Sequence, residues 1–442
     1  MRRISNLLGF VGLVGLVTVC APKAAAQDLF EIRLRATDNS QPDLRVGGSS
    51  LLDLVEGLIN TDEDFLSYDG VPFDASLNYA GVTNAIQFSL NAAGDDATLT
   101  FSAIGADATV WRFTGADVED QIEDFLKGEA PAELGRFLKA IARQSLVAVT
   151  DGNPNAATAV ASRYRHTRFG AYAGFTPRRA TVVTPSATET PTVSNSAFFF
   201  TDFQDEEETK PARKKDSAWI WRIEGSAGTI DTDVGDGFTF DLVSSTELPL
   251  NDRISIVVGV PLSYQQIEQA DIYHMGIHAD VPIKLALPET EGKGLTWQIT
   301  PGAMIGGAGS AEFIAGGALW GFGITNLVMY EIENWAFQIS NQYDTHKSIT
   351  LKFQDFEFDP DISQQILING AKVTYAFSDD WSVYGGVSYS QFLKDAAIDS
   401  YYSPGIGVSY ARKGRIFEIG YEGDVADDYK THKARFAIRI PF

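Results

Sequence analysis

From Lys433 to Phe442 the chain alternates apolar and polar side chains. Ala434, Phe436, Ile438, Ile440 and Phe442 take every second position, and Lys433, Arg435 and Arg439 fall between them. A strand points successive side chains to opposite faces, so this one has an oily face and a charged face. The same dyad repeat recurs upstream. Tyr273, Met275, Ile277, Ala279, Val281 and Ile283 alternate with His274, His278, Asp280 and Lys284. Trp219, Trp221 and Ile223 alternate with Arg222 and Glu224, and Phe417, Ile419 and Tyr421 with Glu418, Glu422 and Asp424. Ile254, Ile256, Val258, Val260 and Leu262 share one face. Residues 217–442 parse into twelve strands with starts near Ala218, Gly237, Arg253, Ile272, Leu295, Ala311, Trp335, Gln364, Trp381, Ser400, Gly414 and Tyr429. The sixth, rich in Gly316, Gly317, Gly321 and Gly323, is the least regular.

A soluble sandwich also alternates, but its strands are about half this length and seldom carry charge on one face strand after strand. A closed barrel in hydrocarbon makes the pattern obligatory, because lipid cannot satisfy backbone amides and charges must turn inward. The gaps at Asn251-Asp252, Glu333-Asn334, 378–380 and 412–414 are tight, whereas those at 231–236, 265–271, 346–363 and 394–399 read as longer. The closing strand with its terminal Phe442, the dyad repeat and this asymmetry resemble Gram-negative outer-membrane β-barrels, porin-like or autotransporter-translocator-like. The resemblance covers 217–442. It implies an all-β, transmembrane, antiparallel up-and-down barrel of about twelve strands, inserted in outer-membrane lipid by the barrel-assembly machinery.

Two further zones precede the barrel. Arg2 and Arg3, the apolar run Leu7–Val19 and Ala24-Ala25-Ala26 have the layout of a secretory signal peptide over 1–26, too short to cross a bilayer as a helix. Its cleavage removes Cys20, the one cysteine, so export brings no disulfide. Residues 27–176 read as a small α+β domain. Strands are expected at 29–36, 85–90, 97–104 and 109–113, a helix at Leu51–Ile59, and two helical stretches over 117–148 broken near Pro131. Residues 177–216, rich in Thr, Pro and blocks of like charge, read as a disordered linker containing Phe198-Phe199-Phe200. An even strand count brings both barrel ends to one side. The domain is therefore expected on the periplasmic side with Phe442, unless the chain passes back through the lumen; the alternative is the cell surface.

Charge and chemistry refine this picture. A net charge of −23 with pI near 4.6 argues against nucleic-acid binding. The lumen is expected to hold Arg222, Glu224, Asp280, Lys284, Glu418, Glu422, Lys433, Arg435 and Arg439, with His274 and His278, as a structural charge network ahead of an ion path. The lipid-facing or girdle set is Trp219, Trp221, Trp335, Tyr375, Trp381, Tyr410, Phe417, Phe436, Ile438 and Phe442. His274 and His278 are about 13 Å apart along a strand, too far for one metal. No H-E-x-x-H, C-x-x-C, G-x-S-x-G or phosphate-loop motif occurs, and the acidic groups at Asp231, Asp233 and Asp236 lack calcium-loop spacing. No catalytic residue, metal or cofactor is assigned. The reading is a narrow pore or structural barrel that passes small solutes or ions at most. The alternatives are an autotransporter-like translocator with a short surface passenger and a soluble exported α+β protein.

Overall fold

The structure is a computed structural model. It describes residues 29–48, 70–128, 130–170, 219–251, 253–268, 270–286, 293–311, 315–353, 356–358, 362–412 and 415–442, together with 54, 57, 67 and 68. The signal-peptide segment 1–26, the linker 177–216 and Phe198-Phe199-Phe200 lie outside these residues. Of Leu51–Ile59 only Leu54 and Gly57 are described, both helical.

The N-terminal part is a six-stranded antiparallel sheet, β1 (Phe30–Ala36), β2 (Leu44–Gly48), β3 (Phe73–Tyr79), β4 (Val82–Leu90), β5 (Asp96–Thr100) and β6 (Val110–Thr114), in the order β2-β1-β3-β4-β5-β6. Its alternating Phe30, Ile32, Leu77, Tyr79, Ile86, Phe88 and Trp111 turn to one face. Two amphipathic helices, α1 (Val118–Gly128) and α2 (Ala130–Ala142), cover that face, with Phe125 and Phe137 against it. Phe137 meets Tyr79 and Phe101 at ring-centroid distances of 5.3 and 5.5 Å. A third helix, α3 (Ala157–Phe169), follows.

Twelve strands then close a ring. In order they are β7 (Ile220–Thr232), β8 (Gly235–Pro249), β9 (Ser255–Ile267), β10 (Ala270–Asp280) continued as β11 (Ile283–Ala286), β12 (Lys293–Ser310) and β13 (Ala315–Ile332). A short hairpin of β15 (Leu351–Phe353) and β16 (Phe356–Phe358) follows β14 (Trp335–Ile349). The ring continues through β17 (Ser363–Ala376), β18 (Trp381–Phe392), β19 (Ser400–Arg412), β20 (Arg415–Glu422) with its two-residue flank β21 (Val425–Ala426), and β22 (Tyr429–Pro441). Neighbours in sequence pair antiparallel, and the first and last strands close the ring in the register Glu224↔Ala437. Pro282 has no N–H to give the ladder, so the fourth strand is interrupted there; β10 and β11 still pair one partner, β12. The glycine-rich sixth strand is regular along all of its 18 residues.

Phe442 N donates to the Trp219 carbonyl at 2.8 Å, so both barrel ends share one rim. The N-terminal domain, however, sits on the opposite rim. Its core runs continuously into Ile230, Ile267, Ala270, Ile272, Ile398 and Tyr429, all at the far mouth. The expectation that the domain lies beside Phe442 therefore does not hold, because the chain passes through the barrel as α3. Two turns on that rim are also shorter than expected. Residues 233–234 and 268–269 are two-residue connections, and Val234 packs against the domain at Gly81. A long loop there would hold the domain off the rim.

Candidate functional site in the barrel lumen

α3 fills the lumen, and twelve of its thirteen residues are buried. Its sequence, ATAVASRYRHTRF, is polar around the whole circumference of its second half, so only a polar enclosure can bury it. The wall supplies one. At the domain-side mouth Tyr429 Oη donates to Asn155 Oδ1 at 2.6 Å, and Gln265 Nε2 donates to the Asn155 carbonyl at 3.1 Å. About two turns lower, the Ser162 hydroxyl and His346 Nε2 are 2.8 Å apart, and Gln342 Nε2 donates to the Ser162 carbonyl at 2.7 Å.

Three arginines then lock the helix. Arg163 stands between Asp424 (3.3 Å) and Asp241 (3.7 Å), and Tyr164 Oη donates to Asp241 at 2.8 Å. Arg165 donates from Nε to Asp280 at 2.8 Å and from Nη1 to Asp344. Arg168 Nη2 lies 3.5 Å from Glu247, near the Phe442 rim. Gly302 and Gly323 line the Arg165 seat; a Cβ at Gly323 would collide with the guanidinium and the Asp344 carboxylate, so a side chain there would displace the pair. Crevices between helix and wall are about 10–20 Å³, room for a water or two.

The inward set expected from alternation lies inside, split into two groups. Arg222 pairs with Glu224, which also accepts from Arg435 at 3.1 Å. Lys433 instead reaches Asp424 at 2.7 Å, in the upper cluster, so it does not belong to one continuous ladder. Lys372 and Asp344, which alternation also turns inward, were not among the expected residues; Lys372 Nζ lies 4.2 Å from the Tyr384 ring centroid. Arg439 and Glu418 are buried, whereas Glu422 and Lys284 are half-buried. His278 Nδ1 contacts Asp280, bracing the Arg165 acceptor, and His274 Nε2 faces the Val149 carbonyl at 3.4 Å. The two histidines thus serve separate contacts. Among the described residues, no group of three metal-ligating side chains converges.

The outward set lies on the outer surface. Trp219, Trp335, Trp381, Phe417 and Phe442 are exposed; Trp221, Tyr375, Tyr410, Phe436 and Ile438 are half-buried among neighbours on the same face. Trp335–Tyr375 and Trp381–Tyr410 make adjacent ring pairs with centroids 4.6 and 4.8 Å apart, near the Phe442 rim. Above them runs a band of Met275, Ile277, Ile305, Phe322, Ile339 and Ile406, each more than half exposed. A water-soluble monomer does not display an apolar belt around its whole girth.

The helix is sealed at its start by Asp151, which accepts from Gly152 N (2.8 Å) and Thr158 Oγ1 (3.0 Å) at the domain–barrel junction. Burial pushes the Asp151 carboxyl up to about 6, against hydrogen bonds from Thr158 and Gly152 that favour the charged form. A raised acid pKa means that folding favours the protonated group. This contribution is full below the unfolded value and is lost as pH rises through about 6, by up to about 3 kcal/mol. Asp151→Asn is expected to flatten the fall in stability between pH 4 and 7, read from urea midpoints across that range.

No protein-family model and no curated protein sequence matches the chain. Among solved structures, it is similar to the translocator domain of the autotransporter NalP from Neisseria meningitidis, at 12% identity over 50% of this chain and 88% of that one, with a TM-score of 0.37. An outer membrane channel from Pseudomonas putida F1 is similar at 11% over 53% and 100%, TM-score 0.39. The transport unit of the autotransporter AIDA-I from Escherichia coli is similar at 10% over 56% and 95%, TM-score 0.35. The closed ring, the polar interior and the apolar belt define the class by themselves: a twelve-strand antiparallel β-barrel of the membrane type, here with a helix of its own chain in the lumen.

Proposed function

We propose that this chain is an integral outer-membrane barrel that anchors its own N-terminal domain at one mouth and is closed by α3. The observation that carries the reading is the three-arginine lock, in which Arg163, Arg165 and Arg168 are matched to five acids of the wall, on β8, β10, β14 and between β20 and β21. It favours the translocator-like arrangement over an open pore, since small solutes or ions would pass only after α3 leaves. With Phe442 at the periplasmic rim, as in the barrels its closing strand resembles, the domain stands at the cell surface as a short passenger. Outer-membrane lipid is then the partner of the belt, and the barrel-assembly machinery acts through the last strand.

The test uses Val110, 63% exposed on β6 of the domain, as Val110→Cys with Cys20→Ser. A membrane-impermeant maleimide added to intact cells is expected to label Val110→Cys to the same extent as in lysed cells. Labelling only after lysis would overturn the surface placement.

A further inference from the structure

Three asparagines interrupt the lipid-facing belt. Asn326, Asn341 and Asn369 are direct register partners on β13, β14 and β17. Alternation turns them outward, in the rows that hold Ile324 and Ile339, which are 47% and 60% exposed. Tyr330 and Trp320 bracket Asn326 on its strand, and Trp335 and Tyr343 bracket Asn341. At about 3.3 Å per residue and a strand tilt of about 40°, Asn341 lies roughly 15 Å above Trp335, well inside an apolar band about 25 Å tall.

The amides form a one-way chain. Trp297 Nε1 donates to Asn326, Asn326 Nδ2 to Asn341 at 3.4 Å, and Asn341 Nδ2 to Asn369 at 2.7 Å. Each amide carries two N–H donors. Asn326 and Asn341 each give one to the row, and Asn369 gives none among the described residues. The remaining donors sit on the outer surface at a depth where lipid has no acceptor to offer.

We infer that this row is the contact through which two copies of the chain associate in the membrane. It rests on the membrane placement proposed above but is independent of the lumen helix. An amide both donates and accepts, so a copy turned about a twofold axis along the membrane normal returns the same groups to the row, with Asn341, the middle member, nearest the axis. A partner without polar groups at this depth would leave the donors as lipid does. Ile324, Val328, Ile339, Leu367 and Ala371 surround the row with an apolar collar that keeps the shared hydrogen bonds dry.

The test is disulfide trapping in isolated outer membranes, with Cys20→Ser throughout. Asn341→Cys is compared with Val260→Cys, which lies in the belt four strands round the ring. Oxidation is expected to give a covalent dimer with Asn341→Cys and not with Val260→Cys. Asn326→Leu, Asn341→Leu and Asn369→Leu combined are expected to abolish the dimer in native size measurements, while heat-modifiable gel migration, the mark of a closed barrel, persists. Absence of the Asn341→Cys dimer, equal trapping at both positions, or an unchanged dimer in the leucine variant would overturn the interface. Protein missing from the membrane fraction would overturn the placement, and the interface with it.

Discussion

Replacing Asp280 and Asp344 together with asparagine is expected to lower the stability of the folded barrel by about 3–5 kcal/mol. The Arg165 side chain is 2% exposed, and these two carboxylates are its counter-charges. Its remaining contacts, from Nη2 to the carbonyls of Thr300 and Gly323 at 3.5 and 3.4 Å, are long and neutral. The substitution preserves shape, removes both charges and turns one acceptor oxygen of each side chain, next to Gln342 and His278, into a donor, so the loss reports chiefly an uncompensated guanidinium. Adding Arg165→Met is expected to recover most of it, because an apolar side chain of similar length needs no partner. Urea midpoints of the heat-resistant form in the three backgrounds measure both effects. Equal midpoints would mean that Arg165 is not held where the structure places it.

An arginine at Ile339 is expected to cost about 2–4 kcal/mol, whereas an arginine at Val110 changes stability by less than about 0.5 kcal/mol. The two sites are 60% and 63% exposed, so in water they would behave alike. They differ in solvent: Ile339 lies in the belt and Val110 on the domain sheet. Folding titrations into lipid vesicles, with urea as denaturant, separate the cases.

The barrel was legible because its physics is local. Alternation needs only the next residue but one, and it yields strand starts within a few residues of those observed, such as Trp335, Trp381, Ser400 and Tyr429. Side-chain parity followed from the same repeat and placed Arg435 and Arg439 inward and Phe417 and Ile419 outward. The occupant of the lumen was not legible. Arg165 and Asp344 are 179 residues apart, and no local pattern joins them. The signal lay in α3 itself: three arginines and a histidine within its last seven residues, spread around the helix with no apolar face to dock on a soluble core. Missing it put the domain at the wrong rim. The inward acids Asp241, Asp280, Asp344 and Asp424 were the matching half of the signal, since the wall offers them one lysine, Lys433 at Asp424, and one histidine, His278 at Asp280, and the remaining charge calls for cations from elsewhere.

The most direct measurement is a crosslink across the lumen in native outer membranes. Ser162 Oγ and His346 Nε2 are 2.8 Å apart although the residues are 184 positions apart in sequence. With Cys20→Ser, the pair Ser162→Cys and His346→Cys treated with a short bismaleimide is expected to give an internally linked chain that migrates differently after heat denaturation. Two cysteines that each react singly and never join would show that α3 does not occupy the barrel.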